Sequence, residues 1–522
     1  MSATVDAKTL KSWLHDGREM ALLDVREHGQ YGESHLFYGV PLPFSRLEVD
    51  LARLVPRRGT RVVVYDDGEL GVAERAAARM AEVGYTDVRV LEGGTRAWRH
   101  AGYALFAGVN VPSKAFGELV ERERHTPRVS AAQLAAMQRA GDDLVVIDGR
   151  PLEEFRKMSI PGAVCCPNGE LAYRIHAMAP DPATRIVVSC AGRTRSIVGA
   201  QTLIDLGIPN PVFALENGTQ GWYLSDFPLE HDARRAYPAV AAGAGLATAR
   251  ARARAMAERH GVRFAADADI EKELAEPSRT VYLLDVRTPE EYAAGTLPGA
   301  VHAPGGQLLQ ATDQWIAVRN ARIVLFDGEG VRAPVVASWL LRLGHDACVL
   351  ERGTSSAIRA PGEPIPLPGV PTIQVDALVT AIGTGEVAIV DVRPSMAYRK
   401  GHVPGSTWAI RPRFDALLPV IAGRRVVLVA DEPGIAGIAA FDLARAGVDS
   451  VAALAGGFAA WRDGGPPVDA TPHVPPDGEC IDHLFFVHDR HDGNKEAARR
   501  YLAWETQLLS QLDPQERASY RL

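Results

Sequence analysis

Ser189-Cys190-Ala191-Gly192-Arg193-Thr194-Arg195-Ser196 is the stretch of this 522-residue sequence best suited to chemistry. It follows the apolar, β-branched run Arg185-Ile-Val-Val-Ser189 and leads into a helical pattern from about Ile197 to Leu206. A loop that leaves a parallel strand and enters a helix puts Cys190 at the carboxyl end of a sheet, where open α/β sheets bind ligands. Free backbone N–H groups and the helix dipole favour an anion there. Arg193 and Arg195 add permanent positive charge, and Gly192 is expected to let successive N–H groups turn toward one point. Such surroundings lower a thiol pKa from its usual ~8.5. The spacing therefore predicts an anion cradle around a nucleophilic sulfur.

The other four cysteines lack this setting. Cys165 and Cys166 fall in a strand-like segment after Pro161-Gly162, and Cys348 falls in a strand-like segment before Leu350. A small buried hydrophobe is the ordinary role of such residues. Cys480 lies near the carboxyl-terminal tail with nothing around it that suggests chemistry. Five cysteines, an odd number in a chain this long, do not make a disulfide framework.

The elements that position Cys190 recur four times. Asp24-Val25-Arg26, Asp148-Gly149-Arg150, Asp285-Val286-Arg287 and Asp391-Val392-Arg393 each follow a strand-like run. A helical pattern precedes each run, with Ser130 a candidate N-cap in the second copy. A Pro-Gly turn then appears at Pro161, Pro298 and Pro404, with Ser34-His35-Leu36 at that place in copy 1. Next come a β-branched strand, a loop, a helix and a glycine turn ending at Gly94, Gly218, Gly353 or Gly457. Trp98, Trp222 and Trp461 close three copies, and Arg359 stands at that offset in copy 3. From the repeat aspartate to the first loop residue is 42 positions in copies 1 to 3 (24 to 66, 148 to 190, 285 to 327) and 40 in copy 4 (391 to 431). Copies 1, 3 and 4 place Asp66, Asp327 and Asp431 where copy 2 has Cys190. Because Asp148, Arg150 and their counterparts recur without the cysteine, they are expected to tie strand to loop as an ion pair, and Trp222 to serve the core. Arg332, retained in copy 3, is a candidate anion ligand without chemistry.

Strands alternating with helices predict α/β units, each a small central parallel sheet flanked by helices. The expected organisation is a unit over 1–108, a unit over 125–232, a helical linker over 233–257, and units over 258–360 and 372–468. Proline-rich spacing at 360–371 fits an extended connection. A tail over 469–522 has no counterpart in the repeats. Within it, Asn494–Leu512 has Ala497, Tyr501, Trp504 and Leu508 at helical spacing, and the tail is expected to pack on a repeat or form part of a subunit contact. His488-Asp489-Arg490-His491 fits no zinc spacing, so no metal is expected.

The composition, 47% hydrophobic and 23% charged, is that of a globular protein, not a disordered one. A net charge of −7 leaves no basic footprint for nucleic acid. No apolar run approaches the ~20 residues that span a bilayer, and the first residues lack the basic and apolar regions of a secretory signal. The expectation is a cytoplasmic chain without nucleic-acid or membrane partners.

The repeat resembles the rhodanese domain. The Asp-x-Arg, the Pro-Gly-Ala turn, the Cys-x-x-x-x-Arg-Ser loop and the Leu-x-x-Gly…Trp segment carry the resemblance, most fully in copy 2. It implies four tandem rhodanese-like domains, of which domain 2 is catalytic and domains 1, 3 and 4 inactive. It also implies a sulfurtransferase without cofactor, with Cys190 accepting sulfane sulfur as a persulfide from thiosulfate or a related donor. The Ala191, Gly192, Arg193, Thr194, Arg195 and Ser196 segment would cradle the sulfur, with Arg193 and Arg195 on the donor oxygens. A thiol or cyanide would take the sulfur. The alternative is a relay that hands persulfide sulfur to a protein partner, for which Cys190 must be reachable. Related loops occur in phosphatases, which have five residues between cysteine and arginine. Four separate Cys190 from Arg195 here, a smaller cradle better suited to sulfur.

Overall fold

A computed structural model of the chain describes residues 3–239, 244–360, 362–485 and 494–522. All four copies are α/β units built on parallel strands. In copy 2 the strands are Arg128–Val129, Leu144–Asp148, Val164–Cys165, Arg185–Ser189 and Val212–Leu215. Numbered in chain order within a copy, they lie side by side as 1-5-4-2-3, and the same order recurs among the five parallel strands of each of the other three, copy 3 having in addition the short strand Val318–Arg319 outside its own sheet. The central pair aligns Asp148 with Ser189, so the repeat aspartate and the residue before Cys190 reach the same sheet edge. These strands are buried because helices cover both faces, which is why they read as continuous apolar runs rather than alternating ones.

The expected ion pair is present in every copy. Arg150 Nε and Nη2 donate to Asp148 at 2.9 and 2.7 Å, and Nη2 also donates to the Met158 carbonyl. Arg26, Arg287 and Arg393 repeat this, each also reaching a carbonyl eight residues on. The pair therefore staples the strand end to the chain after the next helix. Trp98, Trp222 and Trp461 are buried, and each indole donates to a carbonyl six residues ahead. Ser130 caps its helix, with Oγ accepting from Gln133 N and Gln133 reaching back to the Ser130 N–H.

The chain divides into two compact units. One holds Leu22–Gly108 of copy 1 with copy 4. Within it, Arg411 donates to the Glu48 carboxylate at 2.5 and 2.8 Å and to the Phe44 carbonyl at 2.9 Å. The other holds copies 2 and 3 with the tail helix. There, Arg332 Nη1 bonds Glu170 at 2.9 Å and Trp339 Nε1 donates to Thr202 Oγ1 at 2.8 Å.

Connecting segments match expectation unevenly. The Ala/Arg linker is a helix, Ala244–Arg259, and the tail forms the helix Lys495–Gln511, capped by Asn494. The stretch 362–371 carries neither helix nor strand. The interval 109–124, which the repeat pattern leaves unassigned, is a helix too, Val111–Arg124. Its buried Val111, Ala115, Phe116, Leu119 and Val120 make the apolar stripe that holds it in place. No helix of the described residues is long and apolar enough to cross a membrane.

Candidate functional site

The strand Arg185–Ser189 ends immediately before Cys190, and the helix Thr194–Asp205 begins only four residues later. This start is three residues earlier than the sequence pattern indicates. Thr194, Arg195 and Ser196 form the first helical turn, whose N–H groups have no intrahelical acceptor. Among the described residues, no hydrogen bond occupies the N–H of Arg193, Thr194, Arg195 or Ser196.

In copy 3 the corresponding N–H groups are occupied. At the position of Cys190, the Asp327 carboxylate accepts from Gly330 N (2.7 Å), Val331 N (2.9 Å), Arg332 N (2.6 Å) and Ala333 N (3.1 Å). These residues correspond one for one to Arg193, Thr194, Arg195 and Ser196. Asp66 in copy 1 likewise accepts from Gly68, Val72 and Ala73. In copy 4 the loop is shorter and Pro433, which has no N–H to offer, opens the helix. In copies 1 and 3 the loop thus cradles a built-in carboxylate, and in copy 2 a thiol stands at that position.

The glycine turn buttresses the loop from below. Thr219 N donates to the Cys190 carbonyl at 2.8 Å and Gln220 N to the Ala191 carbonyl at 3.1 Å. Gly218 has φ +53°, and a side-chain carbon there would lie 2.2 Å from the Cys190 carbonyl oxygen. Only glycine permits that approach. Gly94 and Gly353 make the same contact with the Asp66 and Asp327 carbonyls, at 2.4 and 2.2 Å, and Gly457 makes it with the Ala430 carbonyl, at 2.2 Å. Ala430, not the expected Asp431, therefore stands at the Cys190 position in copy 4, directly after the Val429 that pairs with the repeat aspartate Asp391. Gly192 acts differently from expectation: it is not in the left-handed region. Its missing side chain instead leaves room for neighbours, since a carbon there would stand 3.0 Å from Glu505 Oε2 and 3.3 Å from Tyr501 Cε1.

Cys190 is 2% exposed. Its sulfur lies 3.6 Å from Ser196 Oγ, which itself donates to the Arg193 carbonyl at 2.8 Å. Arg195 is held by Glu154 in a two-pronged contact, 2.8 Å at each nitrogen. Burial opposes its charge, but the Glu154 carboxylate, with Cys190 and Asp148, outweighs burial and holds it more firmly protonated than usual. Arg193 departs from the expected role on donor oxygens. Its guanidinium donates to Glu118 at 2.6 and 2.9 Å, to Asn217 at 3.2 Å and to Glu121, so carboxylates already neutralise it. It braces the loop against the helix Val111–Arg124. Arg332 in copy 3 is fully buried and bound at both terminal nitrogens by Glu170, Glu291 and Glu329, so carboxylates already neutralise it.

Burial pushes the other thiols up: Cys165 to about 12, Cys348 to about 11, and Cys166 and Cys480 upward as well. These four are packing residues. Among the described residues no group of three His, Cys, Asp or Glu side chains is arranged to hold a metal ion, and His488-Asp489-Arg490-His491 lies outside the described residues.

The model of the rhodanese-like domain matches residues 6–101, 130–225, 267–359 and 374–463. The chain belongs to the rhodanese-like family. Its fold superposes on the crystal structure of a thiosulfate sulfurtransferase from Pseudomonas aeruginosa with a TM-score of 0.93, at 41% identity over 99% of each chain. A Mycobacterium tuberculosis protein named "Putative thiosulfate sulfurtransferase SseB" is 27% identical over 203 residues, 32% of this chain and 71% of that protein.

Sequence reasoning did not find several members of this rhodanese-like site. Glu154 had a readable signal, because Glu291 stands at the same offset in copy 3, six residues after the repeat aspartate. Glu118, Glu121 and Glu505 come from helices outside the repeat, and Asn168, whose Nδ2 donates to the Arg195 carbonyl at 2.8 Å, carries no motif.

Proposed function

We propose that this chain is a sulfurtransferase that carries sulfane sulfur on Cys190, with thiosulfate as donor and a small thiol or cyanide as acceptor. The observation that carries this reading is the cradle: four N–H groups bind a carboxylate in copy 3, and the corresponding four in copy 2 are without an acceptor on a loop whose first residue is a thiol. Family membership and the whole-length likeness to a thiosulfate sulfurtransferase support it.

The Cys190 thiolate attacks the outer sulfur of thiosulfate. The sulfur–sulfur bond breaks, sulfite leaves with the electron pair, and Cys190 persulfide remains. An acceptor thiolate then attacks the outer persulfide sulfur, and Cys190 leaves as thiolate. The N–H groups and Arg195 stabilise negative charge on the sulfur through both steps, as preorganised dipoles do in other group transfers. Copies 1 and 3 hold a carboxylate instead of a thiol, copy 4 holds Ala430 there, and these three are non-catalytic. The recessed position of Cys190 favours small donors and acceptors over hand-off to a protein partner. A reducing compartment such as the cytoplasm suits a catalyst that depends on a free thiol.

Splitting the transfer through a covalent intermediate requires ping-pong kinetics. Double-reciprocal plots of thiosulfate against cyanide are expected to be parallel, with sulfite inhibiting competitively against the acceptor. Intersecting lines would remove the covalent intermediate from the account.

A further inference from the structure

The tail helix Lys495–Gln511 lies outside the repeat, yet it reaches the Cys190 loop. Glu505 is 1% exposed. One of its oxygens, Oε1, accepts from Thr194 Oγ1 at 2.8 Å and stands 3.9 Å from Lys114 Nζ. The other, Oε2, is buried beside Gly192 with no protein partner among the described residues. Gln220, 4% exposed, faces the same point: its Nε2 lies 4.0 Å from where a Gly192 side chain would begin. Both heteroatoms of the Gln220 amide are also without a protein partner. Three buried polar atoms left open within one small region are costly unless a ligand meets them. A carboxylate oxygen asks for a donor, preferably a charged one, while the amide offers one donor and one acceptor.

We propose that Glu505 and Gln220 form a subsite beside the Cys190 loop that receives the N–H-donating, cationic head of the reacting partner, making the acceptor an aminothiol. This rests on the sulfurtransferase reading for the word acceptor, but the subsite itself is testable without it. The ammonium would sit on Glu505 Oε2 and the Gln220 carbonyl while the thiol is directed at the sulfur on Cys190. The tail helix is then a wall of the site, and Glu505 sets its specificity.

The test uses the full chain and two thiol reagents of equal reach and opposite charge, 2-aminoethyl and 2-sulfonatoethyl methanethiosulfonate. Each forms a mixed disulfide with Cys190, breaking its own sulfur–sulfur bond and releasing methanesulfinate. The ratio of cationic to anionic modification rates, read by intact mass, is expected to fall about tenfold in Glu505→Gln, the loss of one charge-assisted hydrogen bond. Glu505→Asp, which keeps the charge, should hold the ratio within about threefold of wild type, separating charge from packing. An unchanged ratio in Glu505→Gln, or an equal fall in both variants, overturns the subsite. On persulfide-loaded protein, Glu505→Gln should raise KM for cysteamine about tenfold more than KM for 2-mercaptoethanol; equal changes would also overturn it. If no persulfide forms in wild type, the sulfurtransferase reading falls while the reagent ratio still decides the subsite.

Discussion

Copies 2 and 3 share one frame of strand, loop and helix, and in both an arginine in the first helical turn is clamped by a glutamate six residues after the repeat aspartate. They differ at the point where the loop N–H groups converge. In copy 3 Asp327 takes four of them and the cradle is saturated. In copy 2 a thiol stands there and the corresponding groups stay open. One side chain thus separates a loop whose N–H groups are left open from one that carries its own anion. The carboxylate also explains how copy 3 can keep a first turn of unpaired donors in a buried place: its anion is covalently attached.

Converting one copy into the other breaks the comparison most severely. Cys190→Asp should fold, place a carboxylate on the open N–H groups, and lower sulfur transfer by at least about 10^3, the scale seen when a nucleophile is removed. Activity within tenfold of wild type would show that sulfur transfer does not need Cys190. Removing the clamped cation is milder. Arg195→Ala should reduce kcat/KM for thiosulfate by about 10- to 100-fold, and unchanged kinetics would take Arg195 out of donor binding. The converse change in copy 3 is read in stability. Asp327→Asn exchanges a buried anion for a neutral amide that cannot satisfy four donors equally well. It should cost about 1–3 kcal/mol in denaturant unfolding, with the slope unchanged.

The smallest effect concerns the remaining cysteines. A raised thiol pKa means that the neutral thiol persists as pH rises toward that value, so at pH 8 Cys165 and Cys348, pushed up to about 12 and 11, offer almost no thiolate. Iodoacetamide at pH 8 should therefore label Cys190 in the folded chain and leave Cys165, Cys166 and Cys348 unlabelled by peptide mapping. Cys166→Ser should leave transfer unchanged.

The frame was legible because repetition within the chain separates roles. Asp148 and Arg150 recur where no cysteine follows, so their pairing is structural. The loop residue varies against that constant pair, which is why the proposed chemistry falls on it. The helix start at Thr194 was harder to read, because Thr194, Arg195 and Ser196 have no helical periodicity of their own and are placed by the sheet edge and by Asn168. Arg193 was misread for a related reason. Its partners, Glu118 and Glu121, sit about 70 positions earlier on a helix that belongs to no repeat. The tail showed its amphipathic stripe of Ala497, Tyr501 and Leu508, but nothing in the sequence says which copy that stripe covers. Glu505 falls on the buried stripe as a polar residue, and its significance appears only with Thr194 and Gln220 beside it.

The central claim is that the open cradle lets Cys190 hold a sulfur atom. Intact-mass measurement after thiosulfate treatment and desalting tests this directly. The wild-type chain should gain one sulfur, about 32 Da, mapped to the Cys190 peptide and lost in Cys190→Ser. No gain in the wild type, or a gain that persists in Cys190→Ser, would contradict the account.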